Sequence, residues 1–248
     1  MAKVKKIVGN YTENYLLSNE EKQLTMIWTP KAACATAVRT FFDYVGFQFQ
    51  NDVWIHNVRG DYENDMHEDH FTVIQFCRNP YTRAISSYLH MLRHNFLNVR
   101  TNKLGFTDFM KLVKSVGPNI YQSHTTKQYK NINPDYILKI ENIDGDLENL
   151  KQKTGIDLKL NICDSHSFIK LFNMSENVLD VDPDEFSEKL SDTITNENYD
   201  YFDNTQINLD QKIFYKVQYE SFYNQKSKDL VSSAYEKDLE FFEYEYPF

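Results

Sequence analysis

The chain has 248 residues, 41% hydrophobic and 15% aromatic, which can supply the core of one α/β domain or two small ones. A formal charge of −9 argues against general nucleic-acid binding, which needs a basic footprint, but leaves room for a local cationic site for a small anion. Only 7 Gly and 6 Pro exclude a low-complexity chain, and three cysteines (Cys34, Cys77, Cys163) without a CxxC imply neither a disulfide framework nor a zinc site.

Residues 1–22 are polar and carry little signal beyond what they lack. Met1 to Lys6 leads into polar sequence with no apolar h-region, and no window of the chain holds 18 consecutive apolar residues. The expectation is a soluble protein of a reducing, cytoplasmic compartment, with no membrane partner. Gln23 to Trp28 is a short apolar run stopped by Thr29-Pro30 and reads as a strand. Val38, Phe41, Phe42 and Val45 then recur at i, i+3, i+4, i+7, the stripe of a core-facing helix that Gly46 ends. Val53-Trp54-Ile55 reads as a second short strand, and residues 57–70 as a charged loop.

Phe71 to Cys77 is nearly continuous in apolar residues, as in a strand buried on both faces. Asn79 is placed to cap the next helix, with Pro80 at its first position and Ile85, Tyr88, Leu89 and Leu92 as its stripe. A helix over 106–116 stops at Gly117-Pro118, a strand follows over 136–140, and Leu147 and Leu150 belong to a helix ending near Gly155. Residues 157–215 are acidic and Asn-rich, with a helix expected near 184–193, and a last helix covers about 226–242. Strands alternating with helices imply an α/β fold, three-layer α/β/α with a central parallel sheet, whose ligands sit at the carboxyl ends of the strands. No repeat or linker divides the chain, so 1–248 reads as one domain, and no pattern specifies an oligomeric state.

Two segments carry the chemistry. Each follows a strand and opens a helix, where unpaired N–H groups and the helix dipole favour an anion. In the first, Pro30-Lys31-Ala32-Ala33-Cys34-Ala35-Thr36, a lysine precedes small residues that let the backbone approach a phosphate, and Thr36 can add a hydroxyl. It is not a Walker A loop, whose lysine comes last after glycines. In the second, Arg78 ends a buried strand, where a guanidinium needs an acceptor. That acceptor is either a carboxylate or a bound phosphate. Ser86 lies two turns into the following helix. A lysine before an Ala-rich helix or a lone helical serine means little by itself, and it is the pairing of two cationic turns that points to a ligand with two separated phosphates.

These segments resemble the two cofactor loops of the sulfotransferases that use 3′-phosphoadenosine 5′-phosphosulfate (PAPS). Residues Pro30 to Thr36 are similar to the loop that binds the 5′-phosphosulfate. Arg78-Asn79-Pro80-Tyr81-Thr82-Arg83-Ala84-Ile85-Ser86 is similar to the 3′-phosphate loop, in which the first Arg and the Ser eight residues later hold the phosphate. The Pro-Lys-x-x-Cys form looks closest to the carbohydrate (Golgi-type) branch. Weaker likeness continues in His124-Thr125-Thr126-Lys127-Gln128, in Ile137 to Ile143 and in Tyr235 to Tyr244, so that it covers about 23–155 and 226–245.

The resemblance implies a P-loop-like fold and sulfuryl transfer from PAPS to a hydroxyl, leaving adenosine 3′,5′-bisphosphate. It implies Lys31 as the residue that neutralises charge at the reacting end, and no metal. A base is also needed. His56, at the end of the strand 53–55, is the first choice, followed by His70 and His67, with Glu63 as a carboxylate candidate. Gln128 and Lys127 are candidates to line the pocket, and Tyr121, Tyr129, Tyr199 and Tyr201 to stack on a sugar or on adenine. The chain departs from Golgi members in lacking an anchor and disulfides. Its net charge favours a small-molecule, lipid-linked or neutral glycan acceptor over a sulfated polymer, and 157–215 would shape that acceptor site. Two other readings stand beside it: a kinase-like P-loop enzyme, and a catalytically silent relative that binds nucleotide or glycan.

Overall fold

The structure is a computed structural model that describes residues 4–5, 15–46, 71–93, 96–99, 102–117, 124–130, 132–160, 177–178, 215–216 and 219–248. The chain forms two compact units. The first comprises Met1–Asn79, Gln122–Cys163 and Lys237–Glu245, and the second Pro80–Tyr121, Asp164–Glu236 and Tyr246–Phe248.

The first unit is built on a five-stranded sheet in the order β1 (Val4–Lys5), β2 (Tyr15–Asn19), β3 (Leu24–Trp28), β4 (Thr72–Cys77), β5 (Tyr136–Lys139). Strands β3, β4 and β5 run parallel, as expected for β-α-β connections, whereas β1 and β2 pair antiparallel. The polar segment 1–22 therefore contributes two strands that hydrophobic patterning does not reveal. A local turn sets the second of them: the Asn19 side chain accepts from Lys22 N–H at 2.8 Å, and Gln23 N–H donates to Glu20 O at 3.1 Å. That turn folds Tyr15–Asn19 back onto β3 in register from Tyr15↔Trp28 to Asn19↔Leu24.

Helix α1 (Cys34–Tyr44) and helix α4 (Ile143–Thr154) cover one face of this sheet. The expected stripe is there: Val38, Phe41 and Phe42 pack with Met26, Trp28, Ile74, Phe76, Leu138 and Leu150. Gly46 and Gly155, both at φ 76°, end the two helices in a left-handed conformation that costs a residue without Cβ nothing. The opposite face holds Leu16, Ile27 and Val73, with Gln75 and Cys77 on the same side by strand alternation. All of β4 from Val73 to Cys77 is buried, as its continuous apolar run predicts. The strand expected at 53–55 and the helix near 184–193 lie outside the described residues. Within 157–215, Asn177–Val178 pairs in parallel with Tyr215–Lys216.

The second unit gathers α2 (Pro80–Arg93), α3 (Phe106–Val116) and α5 (Gln225–Ala234) around aromatic side chains. Tyr88 contacts the rings of Phe106, Phe109 and Phe222 at 5.4–6.1 Å. A capping box starts α5: Asn224 accepts from Ser227 N–H and Ser227 Oγ from Asn224 N–H. The single helix expected over 226–242 is two, α5 and α6 (Glu236–Phe241), interrupted at Tyr235 (φ −119°, ψ 26°). Tyr235 is buried, with the Arg83 guanidinium 5.7 Å from its ring. The break lets α5 bury Val231 and Ala234 in the second unit, while α6 buries Asp238 in the first.

Candidate active site

The Lys31 turn begins where β3 ends. Ala32 N–H donates to Thr29 O at 3.0 Å, and the first helical bond of α1 is Ala37 N–H to Ala33 O at 2.9 Å. The amides of Cys34 and Ala35 therefore lie ahead of the helical ladder, at the positive end of its dipole. Ala33 is the N-cap, at φ 54°, ψ 37°, with no side-chain hydrogen bond to the helix, and the first turn carries no acidic residue. Lys31 is also left-handed, at φ 68°. Two left-handed L-residues in three are an energetic strain of the kind found where backbone is shaped around a ligand. Pro30, Lys31 and Ala32 are buried, while Ala33, Cys34, Ala35 and Thr36 are half-buried.

Arg78 follows β4, the strand beside β3, and is half-buried. Its Nη1 donates to the Lys31 carbonyl at 3.3 Å, which brings the two cationic turns together. Its main chain is bracketed by Gln128: Arg78 N–H donates to Oε1 at 2.8 Å and Nε2 donates to Arg78 O at 2.7 Å. The next residue is held as firmly. Asn79 N–H donates to Glu141 Oε1 at 2.8 Å, Tyr244 OH donates to Glu141 Oε2 at 2.9 Å, and Asn79 Nδ2 donates to Glu245 O at 2.8 Å. Burial pushes the Cys77 thiol beneath this turn up to about 12, and burial also raises the Tyr244 hydroxyl that contacts it at 3.5 Å. A thiol held protonated is no nucleophile.

Ser86 is buried in α2 and belongs to the second unit. His56, Glu63, His67, His70, Tyr121, Tyr199 and Tyr201 lie outside the described residues. Tyr129 is half-buried, its ring 5.0 Å from Phe241 and 5.7 Å from Lys237 Nζ. Lys127 is half-buried, but Gln128 is wholly buried and engaged with Arg78, so it is not a pocket-lining residue. Sequence reasoning assigned no role to Gln75, Glu141 or Asp238. Glu141 and Asp238 fall in segments marked by the family likeness, but no spacing rule links them to Arg78. Among the described residues no three His, Cys, Asp or Glu side chains come together as a metal site, and no helix is long and apolar enough to cross a membrane.

Parallel strands that deliver two cationic turns to one edge of a sheet define an α/β protein with a basic carboxyl edge. The chain matches the model of the Sulfotransferase family over residues 1–245 and belongs to that family. Neither the curated proteins nor the solved structures contain a match. Membership makes sulfuryl transfer the general reaction and gives the protein an acceptor substrate.

Proposed function

We propose that the Lys31 and Arg78 turns bind PAPS and that the protein moves its sulfuryl group to a hydroxyl of a carbohydrate or other small acceptor. One observation carries this reading: the 3.3 Å hydrogen bond from Arg78 to the Lys31 carbonyl, which joins two cationic turns at one end of β3 and β4. The residues fit such a donor. The start of α1 has no side-chain cap and no first-turn carboxylate of its own, which suits an anion such as a 5′-phosphate. The bound donor supplies an activated S–O bond to that phosphate.

Lys31 would stabilise the charge that grows on the leaving oxygen of a bound donor, the kind of electrostatic contribution on which such a loose transfer depends. Amides of the α1 N-terminus, from Cys34 to Thr36, hold the 5′-phosphate, with Pro30, Ala32 and Ala33 shaping the turn. Arg78 and Ser86 hold the 3′-phosphate, which separates this donor from ATP. His56, with His67, His70 and Glu63 as the other candidates, takes the acceptor's proton, and no step needs a metal. The charge of −9 favours a neutral acceptor over a polyanion.

Calorimetric titration with adenosine 3′,5′-bisphosphate and with AMP tests the reading. The bisphosphate should bind far more tightly, Arg78→Ala and Ser86→Ala should remove most of the difference, and Lys31→Ala should lower sulfuryl transfer by about 10²-fold or more. Equal binding of the two nucleotides by the unmodified protein would refute it.

A further inference from the structure

Arg78 lies just past the end of the sheet. The last paired residues of β4 are Gln75 with Ile27 on one side and Cys77 with Lys139 on the other, so Arg78 is the first residue past the paired register. Backbone groups beyond the ladder take their partners from elsewhere in the fold. Here the carboxamide of Gln128 brackets the Arg78 peptide, accepting from Arg78 N–H at 2.8 Å and donating to Arg78 O at 2.7 Å. A carboxamide accepts through its oxygen and donates through its nitrogen at neutral pH, whereas a carboxylate has no proton for the carbonyl.

Gln128 is fixed in turn at both ends of its own backbone. Its N–H donates to Asp238 Oδ2 at 2.8 Å, the adjoining Tyr129 N–H donates to Asp238 Oδ1 at 2.9 Å, and Gln75 Nε2 donates to Gln128 O at 2.8 Å. Gln75, Gln128 and Asp238 are all fully buried. A carboxylate with both oxygens spent on successive amides is a rigid anchor, and hydrogen bonds to a charged acceptor are the strong ones.

We propose that Gln128, anchored by Asp238, is the positioning residue that sets the Arg78 guanidinium for the donor's 3′-phosphate. The inference rests on the donor reading above. Gln128 touches no ligand in this scheme and acts through Arg78, whose Nη1 also donates to the Lys31 carbonyl. Losing the Gln128 bracket should therefore cost recognition of the 3′-phosphate more than recognition of the rest of the nucleotide.

The test is the ratio of dissociation constants for AMP and adenosine 3′,5′-bisphosphate, measured calorimetrically on the full chain. Gln128→Met and Gln128→Glu, both close in size, should lower the ratio at least tenfold with AMP affinity changed less than about threefold. Asp238→Asn should lower it less, and Gln128→Met should add nothing to Arg78→Ala. An unchanged ratio in either folded Gln128 variant would overturn the proposal, as would a parallel loss for both nucleotides, which is the mark of a merely structural role. If Gln128→Met does not fold, Gln128→Glu and Asp238→Asn decide the matter. A wild-type ratio near one is a different failure, since it removes the donor reading and this inference with it.

Discussion

Replacing Ala33 by glycine should make the protein more stable. Ala33 is the N-cap of α1 at φ 54°, ψ 37°, with no side-chain bond to the helix. An L-residue in that region is disfavoured by about 1–2 kcal/mol, and alanine is a poor N-cap besides. Glycine has no Cβ to clash there, but it loses about 0.4–1 kcal/mol more chain entropy on folding. The difference leaves a net gain of about 0.5–1 kcal/mol, which in a protein of this size raises the melting temperature by about 1–4 °C. The control is Ala35→Gly in the first turn of α1, where the backbone is helical and glycine should cost about 0.5–1 kcal/mol. Both are read by urea unfolding of the ligand-free protein, with the slope required to stay constant so that the midpoint reports stability. An Ala33→Gly midpoint at or below wild type, with unchanged slope, would mean that the turn carries no left-handed strain, and the geometric case for a shaped anion loop would fail with it.

Two further outcomes follow from the first unit. Phe41 is fully buried, its ring edge-on to Phe42 at 5.8 Å, so Phe41→Ala should cost about 3–5 kcal/mol in urea unfolding; a loss below about 1 kcal/mol would contradict this packing. Burial holds the Cys77 thiol protonated up to about 12 in the fold against an ordinary 9.0, so above pH 9 the unfolded chain binds fewer protons and stability declines as pH rises. By pH 10 this group should remove on the order of 1 kcal/mol. Cys77→Ala should show a correspondingly smaller loss between pH 8 and 10, and equal losses in the two proteins would count against a buried protonated thiol.

Much of this was legible in the chain because it is local. The i, i+3, i+4, i+7 stripe of Val38, Phe41 and Phe42 marks a helix face wherever it occurs, and the unbroken run from Phe71 to Cys77 marks a strand with no wet side. The strands of residues 1–22 were not legible, because their pairing depends on the turn at Asn19 rather than on any apolar period of their own. The break at Tyr235 was hidden for the opposite reason. The helical period continues through it, and only the separate burial of α5 and α6 in two units interrupts the backbone.

The sequence by itself determined the α/β class, the two cationic turns and the residue types in them, because strand-to-helix transitions and their charges are written within a few neighbouring residues. Tertiary structure alone decided what surrounds those turns. The bond from Arg78 to Lys31 spans 47 positions, that from Gln128 to Arg78 spans 50, and that from Asp238 to Gln128 spans 110. A hydrogen bond fixes distance in space and places no constraint on separation along the chain. The groups that hold Arg78 in place became visible only when the fold brought them together.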